Sequence, residues 1–197
     1  MRRCTILLVS IFTLGLCVAD AQAQTPPASP KPGPEAKKMA AFVGKFHNEG
    51  EMKAGVMGPN SPAGKITGTD DCKWAAGGFA VVCSSATGMG GMKSTSTSMM
   101  YYDPQTKMYH YQEVDSTGDV SDATGTVDGE TWTWNGKGNM GGHTMYSRFT
   151  MKMLSKDSFE WTMAAGDRES SMEQGMSGKE TRITAAAKRP TSKAPSQ

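Results

Sequence analysis

The sequence predicts an all-β fold: a single antiparallel up-and-down β-barrel of about ten strands, with a short N-terminal helix capping one end. Three observations predict it. Two cysteines face each other across a glycine turn in the middle of the chain. Successive segments alternate apolar and polar residues with period two. Turn residues separate those segments at short, regular intervals.

The central stretch is Asp71-Cys72-Lys73-Trp74-Ala75-Ala76-Gly77-Gly78-Phe79-Ala80-Val81-Val82-Cys83. Gly77-Gly78 suits a primed hairpin turn, which needs positive φ at both central residues. Pairing outward from that turn sets Ala76 against Phe79, Trp74 against Val81, and Cys72 against Cys83. Directly opposed cysteines lie within reach of an S–S bond, so a Cys72–Cys83 disulfide is expected. This register accounts for both cysteines without a metal site.

The ends of the chain read differently. Arg2 and Arg3, the apolar run Ile6 to Val18 and Ala21-Gln22-Ala23 form a cleavable signal peptide over residues 1–23. The apolar run is too short to span a bilayer. Cys17 follows Leu16, where a lipid-attachment site needs a small residue. Removing the leader removes Cys4 and Cys17 and leaves Cys72 and Cys83, an even count suited to an oxidising compartment, periplasmic or secreted. The formal charge of the whole chain is only +2, which argues against a polyanion-binding surface and excludes nucleic acid as an expected partner. No second long apolar run follows, so no membrane span is expected after cleavage.

Residues 24–34 (QTPPASPKPGP) form a Pro-rich, disordered linker. Glu35 to Val43 is the helical candidate, with Pro34 before it and Gly44 after it. A barrel domain is expected over residues 35–184. Its strands are expected at Phe46–Ala54, Gly64–Ala75, Phe79–Ala86, Ser94–Asp103, Lys107–Ser116, Asp119–Val127, Thr131–Gly138, His143–Leu154, Ser158–Ala165 and Ser170–Ile183. Asp103-Pro104, Ser116-Thr117-Gly118, Asp128-Gly129, Lys156-Asp157 and Gly166-Asp167 supply turns between them. Met145, Ser147, Phe149, Met151 and Met153 share one strand face; Phe159, Trp161 and Met163 share another, and Trp132 and Trp134 a third. So many strands in one open sheet would leave two long edges, and closure removes them. The polar, basic tail 185–197 is expected to be disordered.

Gly44-Lys45-Phe46 after a short helix resembles the lipocalin opening Gly-x-Trp, with Phe46 in the Trp position. Cys72-Lys73-Trp74, Gly77-Gly78-Phe79, Cys83, Tyr102-Asp103-Pro104 and Asp115-Ser116-Thr117-Gly118 resemble the exported bacterial lipocalin-like family called domain of unknown function 1579. The resemblance spans about residues 35 to 183. It implies a calycin-like barrel with an internal cavity, and it implies no established activity.

Two sets of residues follow as site candidates. The aromatic residues expected to face inward are Phe79, Trp132, Trp134, Phe149, Phe159 and Trp161, which would form the core and the wall of a ligand cavity. Met57, Met89, Met92 and Met140 sit in glycine-containing connections after odd-numbered strands, which emerge at one end of an up-and-down barrel. They would form an adaptable apolar rim, because Met is flexible and polarisable. The reading these support is an exported, non-catalytic barrel that binds a small, largely apolar molecule, with no cofactor. Alternatives are haem held by His143, as calycin-like barrels can do, copper(I) held by the exposed thioethers, a packed structural module, and an enzyme of unrecognised type. Enzyme signatures are poor. The chain has no nucleophile elbow, no His-Glu-x-x-His and no phosphate loop. His47, His110 and His143 are not spaced as metal ligands. Glu113, Asp115, Asp119 and Asp122 read as a solvated acidic hairpin.

Overall fold

The computed structural model describes residues 29–56, 60–140 and 143–184, without the side chain of Met140. The expected leader, residues 24–28 of the linker, Met57 and the tail 185–197 lie outside the described residues. The fold below belongs to the unit that begins at Lys31.

Pro34 opens the helix, where its missing N–H costs nothing. The helix α1 (Pro34–Lys38) is shorter than expected and runs on as a 3-10 turn, Met39–Phe42. Val43 is already extended and leads into the first strand. Ten strands follow: β1 (Gly44–Met52), β2 (Gly64–Ala75), β3 (Ala80–Met89), β4 (Met92–Asp103), β5 (Met108–Asp115), β6 (Val120–Asp128), β7 (Thr131–Met140), β8 (His143–Ser155), β9 (Ser158–Gly166) and β10 (Glu173–Arg182). Each pairs antiparallel with its sequence neighbour, and β10 pairs with β1 to close the barrel. Among the described residues no helix is long and apolar enough to cross a membrane.

The β2–β3 hairpin has the expected centre. Gly77 and Gly78 take φ of 67° and 92°, and the Phe79 N–H donates to the Ala76 carbonyl at 3.3 Å. Trp74 pairs with Val81 and Cys72 with Cys83, and the two cysteines form a disulfide. The correction concerns Phe79. Its backbone is αR (φ −87°, ψ −16°), so it leaves the pleat before β3 begins, and it is 39 % exposed at the hairpin tip. It is not part of the inner wall. A second correction concerns the last strand. The expected start at Ser170 is a 3-10 turn, because the Ser171 hydroxyl donates to Asp167 Oδ1 (2.6 Å) and accepts the Arg168 N–H (3.3 Å). Such local bonds compete with a sheet ladder.

The helix and its 3-10 extension plug the end of the barrel where β1 begins. Met39 and Phe42 are buried, and the Phe42 ring stands edge-on to Trp132 at 4.8 Å. Two polar ties hold the plug. The Tyr109 hydroxyl donates to Glu35 Oε2 at 2.8 Å. Arg182, the last residue of β10, donates to the carbonyls of Val43 and Ala41, pairs with Asp157 at 3.1 Å, and covers the Phe46 ring at 4.5 Å.

Candidate functional site: the inner wall of the barrel

Period-two alternation carried around the ladder fixes which side chains face inward. On β1 the buried or half-buried positions are Phe46, Asn48, Gly50 and Met52. Register then carries the inward set to Asp70 and Cys72 on β2, Ser85 and Cys83 on β3, Ser96, Ser98 and Met100 on β4, and Tyr109, Tyr111 and Glu113 on β5. It continues through Ala123, Trp132, Trp134, Gly136, Phe149 and Trp161 to Gly178 and Glu180 on β10.

The wall changes character along the barrel axis. Beside the plug it is dense and apolar: Phe46, Val81, Tyr109, Trp132 and Phe159 are all buried. Trp134 comes next, stacked on Trp132 (6.0 Å, 12°), and Phe149 lies against Trp161 at 5.6 Å. Trp161 lies over β10 because Gly178 pairs with it; a Cβ there would stand 2.5 Å from the indole. The indole N–H of Trp161 donates to Asn48 Oδ1 at 3.1 Å. Further from the plug, β6–β8 turn small residues inward: Ser121, Ala123, Gly136, Gly138 and Ser147. Met52, Met176 and Met163 are register neighbours on β1, β10 and β9, and Met52 and Met176 are buried.

A belt of acids crosses the middle of this wall. The Ser85 hydroxyl donates to Asp70, and the Tyr111 hydroxyl donates to Glu113. No Lys or Arg occupies an inward position on the ladders beside Asp70 and Glu180, apart from Arg182 at the plugged end. Burial therefore raises the Asp70 carboxyl above its ordinary range, against the opposing bond from Ser85. Glu180 is pushed up to about 8, first by burial and then by the charge of Asp70. The Tyr111 hydroxyl is raised well above the ordinary tyrosine value by burial and then by Glu113. At neutral pH Glu180 thus keeps its proton. The mid-wall thus sets hydrogen-bonding groups next to aromatic faces. Among the described residues, no three His, Cys, Asp or Glu side chains come together as a metal site.

The sequence candidates fall as follows. Trp132, Trp134, Phe159 and Trp161 are buried and face inward, and Phe149 faces inward half-buried. Met89 and Met92 pair across the β3–β4 turn, at the end opposite the helix; Met92 is 56 % exposed. Met140 ends β7 at the same end, paired with His143, the exposed first residue of β8. Asp70, Glu180, Asn48, Met52 and Met176 were missed. Asp70 could have been found, because it shares parity with Cys72 two residues on.

Among solved structures, the chain is similar to Rv2717c from M. tuberculosis. The TM-score is 0.56 at 9 % identity, over 77 % of this chain and 99 % of that one. A de novo designed fluorescence-activating β-barrel gives 0.40 at 13 % identity, over 73 % and 94 %. The S-type phycobiliprotein lyase CPES from Guillardia theta gives 0.49 at 11 % identity, over 76 % and 92 %. At these identities the first likeness speaks to the fold alone. No curated protein matches the chain. Residues 31–182, which hold the plug and all ten strands, match the family described as "Protein of unknown function (DUF1579)", and the chain belongs to that family.

Proposed function

We propose that the protein is an exported, non-catalytic binding barrel that takes a small, largely apolar molecule into its interior through the end opposite the helix. The observation that carries this reading is the asymmetry of the inner wall. One end is plugged by Met39 and Phe42 over packed aromatics. Toward the other end the wall turns to Ser, Ala and Gly on β6–β8, flanked by inward methionines on β1, β9 and β10. Bulky rings at the floor and small side chains above them suit a guest that rests on Trp134, Phe149 and Trp161. The belt at Asp70 and Glu180 suits one hydrogen-bonding group on that guest. The disulfide supports export, because such bonds persist in oxidising compartments. Burying apolar surface of the guest contributes roughly 25 cal/mol per Å² before ordering costs.

The test is a tryptophan-emission titration with palmitate and retinol. It uses a Trp74→Phe background, since Trp74 is 40 % exposed at the hairpin tip and would report surface contact. Saturable quenching that is lost when the wall is filled by Ala123→Phe supports the reading. Unchanged emission at saturating ligand, or quenching indifferent to Ala123→Phe, contradicts it. A Soret band on loading with haem that disappears in His143→Ala would replace it with haem binding.

A further inference from the structure

A cavity of about 680 Å³ opens on the outer face of β5–β8, away from the interior. The side chains lining it alternate with the inward set. Gln112, Asp122, Lys137 and Tyr146 form one cross-strand row, and His110, Thr124, Asn135 and Arg148 form the other. Between the rows runs the inward row of Ala123, Gly136 and Ser147. At Gly136 an added Cβ would meet the Asp122 carbonyl at 2.4 Å and Ala123 Cβ at 2.7 Å. Tyr111 on β5 completes that inward row, and the groove lies over it on the outer face. Glu169 and Met172, from the β9–β10 connection, close one side.

We propose that this groove binds a small organic monocarboxylate with a flat body, anchored by Arg148. The guanidinium is already oriented: its Nε donates to Asn135 Oδ1 at 2.8 Å. That bond leaves the two terminal amino groups as a planar fork matched to a carboxylate. The acid across the ladder from Lys137 is Asp122, which accepts instead from Gln112 Nε2 at 3.1 Å. Among the described residues neither Lys137 nor Arg148 lies in an ion pair. The cavity also contains Asp122 and Glu169, so its formal charge is balanced. A single negative charge is therefore favoured over a multiply charged phosphate. The flat body would lie across the Gly136 backbone beside Tyr146, which lines the groove two residues before Arg148 on β8. The site is independent of the interior reading.

The test is an NMR titration of the full chain with benzoate, using benzamide and inorganic phosphate as comparisons. Saturable shifts are expected at the Arg148 Nε–H and at the amides of Ala123, Gly136 and Ser147. Benzamide and phosphate should bind at least about tenfold more weakly. Arg148→Gln should weaken benzoate by about tenfold or more, and Arg148→Lys should not restore it, because the fork is lost. Both substitutions fall on an exposed side chain, so a retained amide spectrum shows the fold intact. Shifts that never saturate, equal binding of benzamide, or equal benzoate affinity in Arg148→Gln would overturn the proposal.

Discussion

Replacing Glu180 by glutamine removes an inward carboxyl whose ionisation the fold opposes. Its pKa moves from 4.5 to about 8, mainly through burial and secondarily through Asp70. Below pH 4.5 the folded and unfolded chains both hold the proton, and the group contributes nothing to pH dependence. Between pH 4.5 and 8 the unfolded chain releases its proton while the native one keeps it. The unfolded state then binds fewer protons, so stability falls as pH rises and the loss is complete above pH 8. A shift of that size corresponds to at most ~5 kcal/mol, and to ~2–3 kcal/mol once water penetration and relaxation are allowed for. Glu180→Gln is neutral at every pH and escapes this loss. Urea unfolding of both proteins from pH 4 to pH 9 measures it. The variant's advantage should be near zero at pH 4 and grow to ~2–3 kcal/mol by pH 8.5. A pH-independent difference, or an NMR titration of Glu180 at the ordinary carboxylate value, would refute the account of the acid belt.

Two other perturbations test how the barrel is held. Replacing Cys72 and Cys83 together by serine opens a loop with a sequence separation of 11 and should cost ~3 kcal/mol, read as a lower urea midpoint; an unchanged midpoint under non-reducing conditions would show that the bond does not constrain the chain. Arg182→Met keeps an apolar stem over Phe46 but loses the ties to Val43, Ala41 and Asp157. It should cost ~2–4 kcal/mol and speed hydrogen exchange in the 39–43 segment first. Loss spread evenly over the ten strands would contradict its role as the clamp of the plug.

Much of the fold was legible because its signals are local. Gly77-Gly78 specifies a primed turn, and that turn carries Cys72 onto Cys83. Period two sets Trp132, Trp134, Phe159 and Trp161 on inward faces, where all four are buried. Phe79 fails the same rule because alternation holds only in extended backbone, and Phe79 lies in αR. Glu180 was illegible: β10 reads Glu-Gln-Gly-Met-Ser-Gly-Lys-Glu-Thr-Arg, with polar residues on both parities and a register shift between Gln174 and Met176. Arg182 acts on Val43 across 139 residues, a contact that no local pattern announces. The outer groove depends on the register of four strands at once, which appears only when the sheet is assembled.

The most direct measurement is an isotope-filtered NOE experiment on the protein saturated with carbon-13-labelled palmitate. Cross-peaks are expected from the acyl chain to the ring protons of Trp134 and Trp161 and to the methyls of Met52, Met163 and Met176. Cross-peaks confined to Trp74 and Phe79 at the hairpin tip, or none at saturation, would show that the interior takes no guest.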